Sequence, residues 1–83
     1  MNTKNSDLFF VIQSEYATGI ILNLDRTWNV NGEEYRLFFE EEDAAVDFAY
    51  NTVKKYPEIE CTVMKSNNTL ITMIDRNDLF PFC

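Results

Sequence analysis

Carboxylates are the side chains whose number and spacing in this sequence could support chemistry. Glu40–Asp43 is an unbroken acidic run, and Asp47 follows Asp43 by about one helical turn. Clustered carboxylate oxygens can hold a hard cation such as Ca²⁺ or Mg²⁺, provided that they converge on it from several directions. Side chains along one helix diverge into solvent. The run therefore indicates a solvated helix start, where acidic residues favour the helix dipole, and no metal site.

Two Asp-Arg pairs form a second set of candidates. Asp25-Arg26 and Asp75-Arg76 each follow an apolar segment of similar sequence. If the two segments end beside each other, the four side chains would make a polar patch for an anion or a small molecule. The alternative is that each pair forms exposed ion pairs of little energy. The patch supports an alternative function, a small-molecule or ion-binding domain.

Residues that most enzymes depend on are missing. The chain has no histidine and only two glycines, Gly19 and Gly32, both of which fall in predicted turns. Without histidine, the commonest general base and the Ser-His and Cys-His nucleophile systems are excluded. Two isolated glycines cannot build a phosphate-binding loop. We therefore predict a protein that is not an enzyme, with no catalytic residues, no metal and no cofactor.

Cysteine usage and hydropathy point to the cytoplasm. Cys61 and Cys83 match neither a zinc spacing nor a CxxC redox motif. Cys61 lies in an apolar strand pattern and is predicted to be a core residue, whereas Cys83 is predicted to be an exposed thiol; a bridge between them is left open. So few cysteines favour a reducing compartment. No segment reaches the length of a membrane span, which predicts no membrane contact.

The charge balance limits the partners. Fourteen acidic and seven basic residues give a net charge of −7. Such a chain repels phosphate backbones, which argues against nucleic-acid binding. The charge suits a basic protein partner, or it serves solubility alone.

The pattern of apolar residues and turn signals predicts a single α+β domain over residues 1–83. Strands are expected at 8–12, 20–24, 33–39, 59–64 and 69–74, with one helix at 41–55 and a hairpin turn at Asn31-Gly32. The order β-β-β-α-β-β predicts a two-layer fold, with a mainly antiparallel sheet of about five strands on one main helix. Whether the second strand is continuous over 20–30 or bends at Asp25-Arg26 is left open. A polar tail (1–6) and an apolar tail (77–83), in which Phe80 or Phe82 should dock, complete the chain.

The predicted helix carries a candidate partner surface. Its core face is expected to comprise five residues at helical spacing: Ala45, Phe48, Ala49, Thr52 and Tyr56. Val46 and Tyr50 lie off this face, Val53 lies at its edge, and Asp43 and Asp47 flank the pair. An exposed aromatic residue beside acidic ones is typical of an anchor for a protein partner. The alternative is a wider core, or apolar residues that are simply exposed.

The sheet offers a second route to association. One helix can cover only one face, and the strands are apolar on both, so Phe9, Val11 and Ile21 are expected to form an uncovered patch that a homodimer would bury. Residues 8–12 or 59–64 could also pair with another copy as edge strands.

In size, acidity, asparagine content and lack of catalytic residues, the chain is similar to small bacterial or phage accessory proteins. That group includes toxin-neutralising immunity proteins and nucleic-acid mimics. The similarity is one of general character, since no motif carries it. The prediction for function is a protein-interaction module that dimerises or binds a partner, with an inhibitor or immunity role as one form of it.

Overall fold

A computed structural model describes residues 8–30, 32 and 34–79 of the chain. They form an α+β fold in which a four-stranded antiparallel sheet packs on one main helix. The elements in chain order are β1 (Phe9–Glu15), β2 (Arg36–Phe39), α1 (Glu42–Lys55), β3 (Ile59–Lys65), β4 (Leu70–Ile74) and a short helix α2 (Arg76–Leu79). The predicted fold class is confirmed, whereas the expected five strands are four.

The sheet has the strand order β2-β1-β3-β4. β1 and β3, which contain the segments expected as edge strands, are both interior, so the prediction that they pair with another copy through a free edge is wrong. Since β2 and β3 both run antiparallel to β1, they are parallel to each other, and α1 crosses β1 to connect them. β4 follows β3 through a tight turn in which Asn68 has a φ of 70°.

Helix α1 begins one residue later than predicted and ends where the sequence indicates. Glu42 and Asp43 occupy the first turn and Lys54 and Lys55 the last, so both ends complement the helix dipole. At the C-terminus, the Tyr56 N–H donates to the Thr52 carbonyl, and Pro57 prevents further helix. Neither helix in the described part of the chain has the length and apolar character needed to cross a bilayer.

The core lies between α1 and one face of the sheet. Helix residues Ala45 and Ala49 are fully buried, and their small side chains allow the helix to lie close to the strands. The buried cluster comprises Val11, Leu22, Ala45, Ala49, Val53, Ile59, Cys61, Val63 and Ile74. Phe48 and Tyr56 pack at its margin, which agrees with the predicted helix face. Val53, predicted at the edge of that face, is fully buried.

Residues 20–30 form a small turn structure and no strand of the sheet. Ile21 makes an isolated bridge to Ser14, and Leu22 makes one to Trp28. Between them the chain bends at Asp25-Arg26, where Arg26 has a φ of 70° and donates its N–H to the Asn23 carbonyl. The predicted strand at 20–24 is therefore wrong, and the question of a continuous strand over 20–30 is answered by the bend.

The hairpin predicted at Asn31-Gly32 was expected to pair the segments on either side of it, and this pairing is wrong. Gly32 has the positive φ of a turn residue, 74°, and Asn31 lies outside the described residues. The described residues on either side form no ladder with each other, because β2 pairs with β1 instead. The tails at 1–6 and 80–83, including Phe80, Phe82 and Cys83, also lie outside the described residues.

Candidate functional site: the open face of the sheet

The face of the sheet opposite α1 carries large apolar residues. Because paired residues of an antiparallel ladder point to the same side, the register assigns each strand position to a face. Val11 pairs with Val63 beneath the helix, so Phe10 and its partners lie on the other side. The positions on this side, here called the open face, are Phe10, Ile12, Ser14, Arg36, Phe38, Glu60, Thr62, Met64, Leu70 and Met73. Ile21 joins them through its bridge to Ser14.

This assignment corrects the predicted apolar patch. Phe9 and Val11 were expected on the uncovered face, but both belong to the helix-covered side, where Val11 is fully buried and Phe9 packs against the core. Phe10 and Ile12 occupy the open face in their place. Only the expectation for Ile21 is confirmed, with 37% of its surface exposed.

No helix among the described residues covers the open face. Three large side chains on it are about half exposed, with values of 48% for Phe38, 54% for Leu70 and 47% for Met73. They come from the two edge strands, whereas Phe10 on the strand between them is only 3% exposed, so the exposed apolar side chains lie along the two edges of this face. Single exposed apolar residues are ordinary, but several on one face are typical of an interaction site.

Aromatic rings and one ion pair shape the β2 side of the open face. The rings of Phe10 and Phe38 lie 5.6 Å apart, and the Arg36 guanidinium carbon is 5.3 Å from the centroid of Phe38. Arg36 Nε also donates to Glu34 Oε2 at 3.0 Å, and a second bond of 3.2 Å makes the pair bidentate. These bonds lower the pKa of Glu34 to about 2. Both charges therefore persist at neutral pH and largely cancel.

Charge is scarce on the open face compared with the rest of the chain. Arg36 and Glu60 are the only charged residues that the ladders of the four strands place there, and Arg36 is already paired with Glu34. The net charge of −7 is carried by other surfaces, including the start of α1. The open face is thus an apolar and nearly neutral surface on a strongly acidic protein.

The residues of the partner surface predicted on α1 differ in their exposure. Val46 packs against the core, whereas Tyr50 is 44% exposed and Asp43 and Asp47 are exposed around it. Tyr50 lines a shallow groove with Leu79 of α2, so the short C-terminal helix borders this surface. A role for these residues in partner binding stays a prediction.

The two Asp-Arg pairs each stabilise their own turn. Asp25 accepts hydrogen bonds from the N–H and hydroxyl of Thr27, which lower the pKa of its carboxyl group. Arg26 lies over the ring of Tyr56, with its guanidinium carbon 4.5 Å from the ring centroid.

Asp75 and Arg76 begin α2. Asp75 accepts the Asn77 N–H at 2.8 Å, and Asp78 in turn accepts the Asp75 N–H, which satisfies two donors at the helix start. Arg76 stacks over Tyr16. Within the described residues, neither a hydrogen bond nor a salt bridge joins this pair to Asp25-Arg26. Binding of a ligand at the four residues stays a prediction.

Cysteine and carboxylate side chains are the remaining candidates for chemistry. Cys61 is a free, fully buried thiol, and burial raises its pKa to about 12, so it stays protonated and unreactive at neutral pH. Within the described ranges, no group of three or more His, Cys, Asp or Glu side chains is arranged to hold a metal ion.

Sequence reasoning missed the most exposed members of the open face: Phe38, Leu70 and Met73. A signal for them was present, since 36–39 and 70–74 carry apolar residues at adjacent positions and not in alternation. That pattern shows that both faces of a strand are apolar. It does not show which of them the helix covers.

Comparisons with family models, with curated proteins and with solved structures gave no match.

Proposed function

We propose that the chain is a protein-interaction domain that forms a homodimer by packing its open face against the same face of a second copy. The observation that supports this proposal is the exposure of Phe38, Leu70 and Met73 on a sheet face that no described helix covers. Burying such side chains removes apolar area from water, at about 25 cal/mol per Å². Two sheets packed face to face about 10 Å apart would bury them together.

Charge favours a second copy over a basic partner at this face. A basic protein gains from contact with carboxylates, and the open face offers only Glu60 and the already paired Glu34. A two-fold symmetric interface needs a surface that is complementary to itself. An apolar face with one Arg36 and one Glu60 meets that requirement without burying unbalanced charge.

The size of the sheet sets the strength of this dimer. Strands of seven, four, seven and five residues, rising about 3.3 Å per residue and spaced about 4.8 Å apart, give a footprint of roughly 360 Å² per copy. Two copies then bury about 730 Å², well below the roughly 1,200 Å² at which stable interfaces begin. The long-range repulsion between two acidic chains weakens the dimer further. We therefore expect a reversible dimer whose population rises with protein concentration and with salt.

Sedimentation velocity over a concentration series tests the proposal. We expect wild-type protein to shift from monomer toward dimer, and Met73→Asp to remain monomeric because the new carboxylate would be buried in the interface. Tyr50→Asp is the matched control: it places the same charge at a similarly exposed site on α1, and its dimerisation should equal that of wild type at high salt. A wild-type protein that is monomeric at every concentration would overturn the proposal, as would a dimer that Tyr50→Asp abolishes and Met73→Asp does not.

A further inference from the structure

A second surface, on the helix side of the sheet, has the opposite character to the open face. It is a cleft of about 250 Å³ between the end of β1, the turn after α1 and the 20–30 turn structure. The buried Leu22 and Ile59 line its apolar part, and its other lining residues are Glu15, Arg26, Trp28, Tyr56 and Glu58. Its volume is below the 300–1,000 Å³ usual for small-molecule sites, so it suits a single side chain.

The chemistry of the cleft suits a planar cation. Tyr56 and the 52% exposed Trp28 supply aromatic rings, and Glu15 and Glu58 supply two carboxylates. The backbone holds the carboxylates at neighbouring positions, because Glu15 pairs with Ile59 and the Tyr16 N–H donates to the Glu58 carbonyl at 2.8 Å. Aromatic rings bordered by carboxylates attract guanidinium and ammonium groups through cation–π and charge interactions.

A guanidinium of this chain already uses the cleft. The guanidinium carbon of Arg26 lies 4.5 Å from the centroid of Tyr56, which shows that the ring is accessible to such a group. Within the described residues, however, Arg26 makes no salt bridge with Glu15 or Glu58. The Lys55 ammonium lies 5.5 Å from the same ring centroid, and the Glu15 carboxylate accepts the Thr18 hydroxyl at 2.7 Å. Two cations of this chain therefore contact the ring, and neither is paired with Glu15 or Glu58 in the described part of the chain.

The backbone at Arg26 explains this incomplete fit. Arg26 has a φ of 70°, in the left-handed region that a residue with a Cβ adopts at a cost in energy. The turn hydrogen bonds of Asn23 and Asp25 hold this backbone conformation, so the position of the Arg26 Cα beside the ring is fixed. An arginine on another chain has no such restraint and can stack on Tyr56 while it pairs with a carboxylate.

We propose that the cleft binds an arginine side chain of a basic protein partner, and that Arg26 occupies the cleft until that arginine displaces it. The site lies on the opposite side of the sheet from the open face, so it is independent of dimerisation. A chain that carries −7 would also attract a basic partner at long range.

Fluorescence of the single tryptophan tests the proposal directly, because Trp28 lines the cleft. The probe is N-acetyl-arginine amide, with N-acetyl-citrulline amide as its neutral counterpart. We expect saturable quenching or enhancement with the arginine compound and none with citrulline. Arg26→Gly removes the competing guanidinium and suits the positive φ, so it should tighten binding about two- to fivefold, the value of one exposed cation–π contact.

Four further experiments test the assignment. Glu58→Gln in the Arg26→Gly background should reverse the gain, whereas Met73→Asp should leave binding unchanged. The lysine analogue should bind more weakly because its ammonium group is not planar. Free arginine should also bind more weakly, since its carboxylate would lie near two glutamates; equal binding would indicate a metabolite site and overturn the assignment to a protein partner.

Two outcomes would overturn the cation site itself: a citrulline response equal to that of arginine, or no gain in Arg26→Gly when its circular dichroism matches wild type. Chemical shift changes in ¹H–¹⁵N spectra provide a second readout that does not depend on the tryptophan.

Discussion

The two faces of the sheet differ in what covers them and hardly in how apolar they are. Beneath α1, Val11 and Val63 are completely buried, whereas Phe38 and Leu70 on the open face are about half exposed. An antiparallel sheet with one solvated face usually alternates apolar with polar residues. Here the open face is apolar as well. The difference teaches that the fold of one chain buries the inner face and, on the open face, Phe10, but leaves the apolar residues of the edge strands exposed, which is why the open face is proposed as an interface.

The most direct test of the difference between the two faces is to introduce the same charge at two neighbouring positions, one on each face. Ile74 is 2% exposed beneath the helix and Met73 is 47% exposed on the open face. Burying an unpaired carboxylate costs about 4 kcal/mol or more, and a domain of 83 residues has only about 4–12 kcal/mol of stability. We expect Ile74→Asp to be unfolded by circular dichroism, and Met73→Asp to stay folded within about 1 kcal/mol of wild type in urea unfolding at low protein concentration.

If both variants unfold, the open face is as buried as the inner one. If both stay folded, the inner face is not the core. Either result would remove the distinction between the faces on which the proposed homodimer depends.

The elements that sequence analysis predicted well are those fixed by local signals. Helix α1 has helical spacing of apolar residues, acidic residues at its start and Pro57 after its end, and its predicted bounds differ from the observed ones by one residue. The strands near 59–64 and 69–74 are also found, since a tight turn joins them. Such signals act within a few residues, so the sequence carries them in full.

The pairing of the N-terminal half could not be predicted, because it depends on competition for one strand edge. Residues 9–12 of β1 pair with β2, which leaves only residues 13–15 to contact the 20–22 segment, through the Ser14–Ile21 bridge and two flanking backbone hydrogen bonds. The apolar segment at 20–24 therefore gains one bridge and no longer ladder, despite its β-forming sequence. The faces of β1 were reversed for a related reason: residues 8–12 are all apolar, so alternation does not indicate which side the helix covers.

The cleft at Tyr56 was missed because its residues are distant in sequence. Glu15, Trp28 and Glu58 converge only through the β1–β3 ladder and the bend at Arg26. Arg26 is a candidate in the sequence, but as part of a predicted patch with Asp75 and Arg76. No local pattern indicates that its partner is the ring that follows α1.

A second test of the difference between the faces compares how a thiol on each face affects the pH dependence of the free energy of unfolding. Burial raises the pKa of Cys61 from 9.0 to about 12, so the folded protein retains a proton that the unfolded chain loses. The free energy of unfolding should therefore fall as pH rises from about 9 toward 12, by up to about 1.4 kcal/mol per pH unit. We expect urea unfolding of Cys61→Ala to lack this part of the slope.

The control for Cys61 is the next residue along β3. Thr62→Cys adds a thiol on the open face, where it should titrate normally and add no slope in the same pH range. Identical slopes for wild type and Cys61→Ala would show that the thiol ionises as readily in the folded state as in the unfolded one, and would contradict its burial.

The smallest expected effect concerns the one amide on the inner face. Gln13 is fully buried beneath the helix, opposite Cys61, and neither atom of its amide has a hydrogen-bond partner among the described residues. A buried amide without partners costs stability, and an apolar residue of similar size removes that cost. We expect Gln13→Leu to raise the free energy of unfolding by about 1 kcal/mol, and Gln13→Glu to lower it by more, because a buried charge replaces the amide. If urea unfolding shows Gln13→Leu to be the less stable protein, the amide has hydrogen-bond partners in solution and stabilises the inner face.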